Sequence, residues 1–352
     1  MAPSPPGGDF RGGLPRPTRT IRGRPLIALS VVREHWPKKR VIERVGGTTS
    51  LLDRLNSLWI GEQLGYIEKL TMVSALSAGH PFTLYSYNPQ NLRGVPSRVE
   101  VRDANEVIPY PALAHYFGGG WAALGTDFFR YAMLAKGLGY WVDLDLYFIR
   151  PIDFQDEYVF GWEHETSING AVLRLPANSD MVRELCAIPH VNWRPPFYGP
   201  RKTAIFYWRR VTEGDIRPEN YRWGTFGPMF LTYLAQKYRV AQRAKERFIF
   251  YPVRHRDAKL LCAPPELVNA ELTEETRTVH LWRSVLDREA RASPPGGSYL
   301  EALCRRHDLT PKAQLATSAG VANLQKRRLF DSLIKKGSRR HMSVGRSGST
   351  AL

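Results

Sequence analysis

The sequence predicts an α/β protein with a mostly parallel central sheet flanked by helices. Three observations carry this. A strand, a helix and a second strand follow one another between residues 57 and 87, the order that favours a parallel sheet with crossover helices. A second helix, over residues 127–136, passes through Gly137 into the apolar run Tyr140-Trp141-Val142. The 352 residues have an ordinary apolar content, enough to bury a core in one large domain or two small ones.

Taken in order, residues 1–50 are rich in Pro, Gly and Arg and show little periodicity. They read as a basic, partly disordered arm. A strand ends at Ser57-Leu58-Trp59-Ile60 and closes on Gly61. A helix is predicted over 65–77, with Ile67 and Leu70 on its apolar side and Gly79-His80-Pro81 as its stop. Residues 82–87 are β-branched and aromatic and read as a strand, and 99–104 as a shorter one. Phe117-Gly118-Gly119-Gly120-Trp121 reads as a flexible loop. In the helix over 127–136, Asp127 falls in the first turn, where a carboxylate suits the dipole. Asp127 and Arg130 share one of its faces.

Tyr140-Trp141-Val142 is a buried strand, with Asp143 and Asp145 at its exit. Residues 158–162 and 168–173 are further strands, the second entered by an Asn169-Gly170 turn. Residues 180–186 form a helix. Residues 190–222 hold many Trp, Tyr, Pro and Arg without a period, and read as an irregular insertion or a substrate-facing lid. A helix over 229–237, a strand over 248–251 stopped by Pro252, and a last strand over 278–282 complete the series. Helices are predicted over 298–307 and 320–336, and the tail from Gly337 is Ser, Gly and Arg rich. The domain expectation is therefore a basic arm over 1–50, a catalytic-type domain over 51–290, and a helical extension with a basic tail over 291–352.

The net charge of +17 sits mostly at the ends: residues 1–50 and 326–352 each carry +7. Such arms are either plainly solvated or suited to the anionic inner face of a membrane, with nucleic acid ranked behind. Cys186, Cys262 and Cys304 are odd in number and widely spaced. They suit a reducing compartment and small buried side chains rather than a disulfide framework. The longest early apolar run, 26–32, is far shorter than the ~20 residues a spanning helix needs. The N-terminus lacks an apolar signal core. The expectation is a cytoplasmic protein, free or peripheral at the inner membrane face.

Asp143-x-Asp145 is the strongest chemical feature. Alternate residues of an extended segment lie ~7 Å apart and point the same way, so two carboxylates can share one divalent ion. Such a hard cation takes oxygen ligands and keeps positions for substrate phosphates. An apolar strand delivers the pair and the apolar run 146–149 encloses it, a poor place for uncompensated charge. Glu163-His164-Glu165 is a rival cluster, read as an exposed loop or an acceptor-side contact. No phosphate-loop motif and no glycine-framed nucleophile is present. A glycosidase also uses paired carboxylates, but on separate elements either side of a sugar bond.

The pattern Asp127-x-x-Arg130-Tyr131, Gly139-Tyr140-Trp141-Val142-Asp143-Leu144-Asp145 and Arg150-Pro151 resembles the DXD sugar-binding region of family 32 glycosyltransferases and their relatives, the glucosylating clostridial toxins among them. Leu58-Trp59-Ile60-Gly61, Ile168-Asn169-Gly170, Gly227-Pro228, Phe250-Tyr251-Pro252 and His280-Leu281-Trp282 resemble further landmarks in the same order, over residues 56–285. The resemblance implies a GT-A type, Rossmann-like fold. It implies a metal-dependent hexosyltransferase that uses a nucleotide diphosphate sugar, UDP-linked, with Mn²⁺ or Mg²⁺ as cofactor. The partners it implies are that donor and a glycan or lipid-linked glycan acceptor, with retained anomeric configuration.

By the same resemblance Asp145 ligates the metal, Asp143 contacts ribose, sugar or metal, and His280 is a further metal or diphosphate ligand. Asp127 and Arg130 hold the donor hexose. Trp59, beside Gly61, stacks on the base, and Trp282 closes over the diphosphate. Trp59 as plain core and His280 as a structural histidine are the competing readings of those residues. The competing function is a basic nucleic-acid- or membrane-binding protein whose sugar-nucleotide domain does not turn over.

Overall fold

The computed structural model describes residues 52–188 and 191–309. They belong to the second of two units, Ser50–Leu352, the first being Met1–Thr49. The expected arm over 1–50, the helix over 320–336 and the basic tail lie outside the described residues.

A six-stranded sheet forms the centre, in the order β3-β2-β1-β4-β7-β6. Strand β1 (Leu55–Leu58) runs into helix α1 (Tyr66–Ser77), then β2 (Phe82–Ser86) and β3 (Glu100–Asp103). Helices α2 (Tyr110–Gly118) and α3 (Ala122–Ala135) lead back to β4 (Tyr140–Val142) on the other side of β1. These four strands are parallel. The order in which strands are added reverses between β1 and β4, and ligands bind at the carboxyl ends of strands at such a switch point. Trp59 leaves β1 there, and Asp143 leaves β4 there.

A short strand β5 (Leu146–Phe148) is followed by β6 (Val159–His164) and β7 (Ser167–Arg174), which extend the sheet, β7 pairing antiparallel to β4 and β6 antiparallel to β7. Strand β5 pairs instead with β8 (Thr278–His280), Leu146 facing His280. Helices α4 (Asp180–Cys186), α5 (Pro200–Glu213) and α6 (Phe230–Lys237) precede short helical segments at Arg247–Phe250, Pro265–Asn269, Arg288–Ala292 and Tyr299–Arg306. The mostly parallel α/β sheet with flanking helices is the fold class the sequence predicts. The core cluster is rich in aromatic residues: Tyr85, Phe129, Tyr131, Trp141, Phe160, Phe226 and Phe230 are all buried in it.

Several local expectations are corrected. The glycine-rich 117–121 stretch ends a helix, α2, which Pro109 starts at its N-cap. Helix α3 begins at Ala122, so Asp127 lies in its second turn, too far from the end to meet the dipole. Asn169 and Gly170 lie inside β7, with no turn there. Residues 247–250 form a helical turn instead of a strand. Their carbonyls are taken by Thr276 Oγ1, Arg277 N–H and Thr278 Oγ1 at 2.7–2.9 Å, so tertiary hydrogen bonds override β propensity. The supposedly irregular 190–222 stretch contains α5, a 14-residue helix with one buried residue, Phe206. Of the cysteines only Cys304 is buried, Cys186 is exposed, and all three are free.

Candidate active site

A cleft of about 640 Å³ opens over the carboxyl ends of β1 and β4. Its size falls in the range of small-ligand sites. Trp59, Asp127, Arg130, Asp143, Asp145, His280 and Trp282 all line it. Gly61 does not, and a Cβ there would lie 3.2 Å from Trp59 Nε1, so its smallness leaves room for the indole.

The first corner of the site is built around Arg130. The guanidinium rises from the buried face of α3 and lies 5.1 Å from the Trp141 ring. It donates through Nη1 to Asp127 Oδ1 (3.0 Å) and through Nη2 to Asp143 Oδ1 (2.9 Å). Trp141 Nε1 donates to the same Asp143 oxygen at 2.7 Å. Two glycines admit this packing. A Cβ on Gly170 would come within 2.6 Å of Arg130 Nη1, and one on Gly227 within 2.9 Å of Asp127 Oδ2. Close approach, and not turn geometry, is what these positions require. Burial, aided by the nearby Asp143 and opposed by Arg130, pushes Asp127 up to about 6. Burial works against the Arg130 cation, yet Asp143 and Asp127 together hold it above its ordinary value.

The second corner is built around Asp145. The β5–β8 pairing brings His280 beside it, and Leu281 N–H donates to the Asp145 carbonyl at 2.6 Å. Asp145 Oδ2 accepts from Arg283 N–H at 3.0 Å, and Oδ1 lies 3.7 Å from His280 Nε2. Burial raises the Asp145 carboxyl above its ordinary value, against His280 and Arg283, which lower it. Trp282 adopts a left-handed backbone (φ 46°), is 4 % exposed, and stacks on the His280 ring with centroids 3.8 Å apart. Its Nε1 donates to the Val253 carbonyl at 2.9 Å. Trp282 is thus a packed wall behind the histidine, held in place by its own hydrogen bond.

Asp143, Asp145 and His280 each offer a ligand atom within 4.8 Å of the others. The two carboxylates suit a hard divalent ion. The imidazole is set differently. Trp282 N–H donates to His280 Nδ1 at 3.0 Å, so Nε2 carries the ring proton and faces Asp145. To ligate through Nε2, the ring would have to give up the Trp282 bond and move its proton to Nδ1. As it stands, His280 Nε2 faces Asp145 at 3.7 Å, beyond hydrogen-bond reach.

Three wall residues escape sequence reasoning. Arg283 makes an ion pair with buried Glu68 (2.6 Å) and lies 5.7 Å from the Trp59 ring, tying the Trp59 wall to the Asp145 corner. Glu68 sits on the buried side of α1, and a carboxylate on that apolar face was the available signal. Glu219, across the cleft, has a side chain 8 % exposed. Its Oε1 lies 2.8 Å from His115 Nε2, and its Oε2 has no hydrogen-bond partner. Of the Glu163-His164-Glu165 cluster only Glu163 reaches the cleft, where it accepts from Asn169 Nδ2 at 3.0 Å.

No protein family and no curated protein matches the chain. Among solved structures, one titled "PaToxG Glycosyltransferase" is similar at 13 % identity and a TM-score of 0.38, over 76 % of this chain and 80 % of that one. So loose a likeness adds nothing to the argument from the site.

Proposed function

We propose that this protein is a glycosyltransferase that moves a hexose from a nucleoside diphosphate sugar, UDP-linked, to a glycan or lipid-linked glycan, with retention of configuration. The observation that carries the reading is the Asp127–Arg130–Asp143 network beside a separate Asp145–His280 corner, both at the switch point of a parallel sheet. The network presents fixed hydrogen-bonding groups to a polar, hydroxyl-rich ligand. In this reading Asp127 and Arg130 orient the hexose, and Trp59 flanks the base. Asp145, with Asp143, holds Mn²⁺ or Mg²⁺, which when bound neutralises a departing diphosphate. Arg283, reaching from Glu68 to the edge of Trp59, adds a fixed positive charge on the diphosphate side. Trp59 Nε1 is buried without a protein hydrogen-bond partner. The exposed Arg222 and Trp223 rim the opposite wall, where an acceptor would enter.

A thermal-shift screen of nucleotide sugars with and without Mn²⁺ tests this directly. Metal-dependent stabilisation by one nucleoside diphosphate sugar is expected. Equal melting temperatures with every donor, with and without metal, would overturn it.

A further inference from the structure

Helix α5 is turned inside out. A surface helix of a globular protein faces its apolar stripe to the core. In α5 only Phe206 is buried. Ala204, Trp208 and Val211 follow one another at i+4 and i+3 and form a single stripe. That stripe faces solvent: Trp208 is 64 % and Val211 86 % exposed. Ile205 and Tyr207 flank it and are about half exposed. The helix is nonetheless well seated from behind. Phe206 packs near Tyr221, Arg209 Nη1 donates to the Asn220 carbonyl at 3.4 Å, and Thr203 Oγ1 donates to the Tyr198 carbonyl at 3.2 Å. The outward apolar stripe is therefore a fixed feature of the surface.

The charges beside it point to the occupant. Four cations, Arg201, Lys202, Arg209 and Arg210, stand on α5 against one carboxylate, Glu213. Glu213 is taken by Arg209. Arg201 and Arg210 make no ion pair among the described residues and are exposed. We propose that this face of α5 docks on an anionic phospholipid surface. Val211 and Ile205 enter the acyl boundary, the Trp208 and Tyr207 rings lie at headgroup level with their polar tips in water, and Arg201 and Arg210 meet lipid phosphates. Amphipathic aromatics beside unpaired cations are what an interfacial helix needs. Trp208 and Tyr207 could also stack on nucleic-acid bases, whereas the exposed Val211 and Ile205 match acyl chains. Residues 216–229, which seat α5, also form the Tyr221–Trp223 wall of the cleft. Docking by α5 would hold that wall close to the bilayer.

The test uses the full chain without donor, so it does not depend on the proposed sugar chemistry. Wild type, Trp208→Phe and Trp208→Glu/Val211→Glu are titrated with vesicles of phosphatidylcholine alone and with 30 % phosphatidylglycerol. A parallel set carries brominated acyl chains. Wild type should bind only the anionic vesicles, and the brominated chains should quench its fluorescence. Trp208→Phe should lose the larger part of that quenching. The double variant, which alters exposed positions only, should melt as wild type does and bind about tenfold or more weakly. Equal binding by the double variant would overturn the proposal, because the basic termini would then be sufficient. So would quenching unchanged in Trp208→Phe. A wild-type dimer that the double variant dissociates, with vesicle binding unaltered, would overturn it in favour of a face between two copies.

Discussion

Asp143 and Asp145 are two residues apart and face the same cleft, yet their surroundings differ. Asp143 Oδ1 receives Arg130 and Trp141, and Arg130 also holds Asp127. In that corner one cation is shared by two carboxylates, and the group is closely packed on Gly170 and Gly227. Asp145 has one backbone N–H, from Arg283, and an imidazole at 3.7 Å. Its charge is raised in cost by burial and only partly compensated. One carboxylate thus has an oxygen committed within the protein, and the other has a single backbone hydrogen bond. A repeated acidic motif need not mean two equal ligands: in the proposed function the second aspartate is the main anchor of the cation and the first, with one oxygen committed to Arg130 and Trp141, the weaker one.

The largest expected effect tests the corner built on Arg130. Arg130→Met leaves the half-buried Asp127 and Asp143 beside each other without a counter-charge, and should cost roughly 3 kcal/mol in chemical denaturation, the low end of what breaking a buried pair costs. A loss under about 1 kcal/mol would show that the two carboxylates do not depend on Arg130.

A smaller effect comes from Asp127, which titrates at about 6 in the folded protein. The folded state then holds this proton more tightly than the unfolded chain does. Stability from this group is highest below about pH 4 and is lost as pH rises to about 6. Asp127→Asn should remove that loss, on the order of 1–2 kcal/mol between denaturation at pH 4 and at pH 7. Parallel pH profiles for variant and wild type would contradict it.

The smallest effect is at the other corner. Without metal, Asp145→Asn removes a poorly compensated buried charge. It should leave the melting temperature unchanged or slightly raised, opposite in sign to Arg130→Met.

The sheet and the central site were legible because their signals are local. Residues 82–86 and 140–142 are short apolar strands, Gly137 is a stop, and Asp127, Arg130, Asp143 and Asp145 lie within 19 residues of one another. His280 is placed beside Asp145 by the β5–β8 pair, and its nearness to the site came only from the resemblance. Its hydrogen-bonding form is set by the Trp282 backbone, which no spacing encodes. Arg283, Glu68 and Glu219 reach the cleft from separate elements, so their convergence is tertiary information. Helix α5 was hidden because helix recognition assumes an inward apolar stripe, and its stripe faces out.

The proposed function makes Asp145, more than Asp143, the anchor of the cation. Mn²⁺ binding in the presence of a nucleoside diphosphate, measured by titration calorimetry on wild type, Asp143→Asn and Asp145→Asn, tests it most directly. Asp145→Asn should weaken binding by about 100-fold or more and Asp143→Asn by about tenfold, values in the range set by ligand and orienting groups. Because burial raises the Asp145 carboxyl, proton competition in wild type should begin at a pH above that of an ordinary aspartate, ~3.9. Wild-type Mn²⁺ affinity in Asp145→Asn, or a larger loss in Asp143→Asn, would contradict the account.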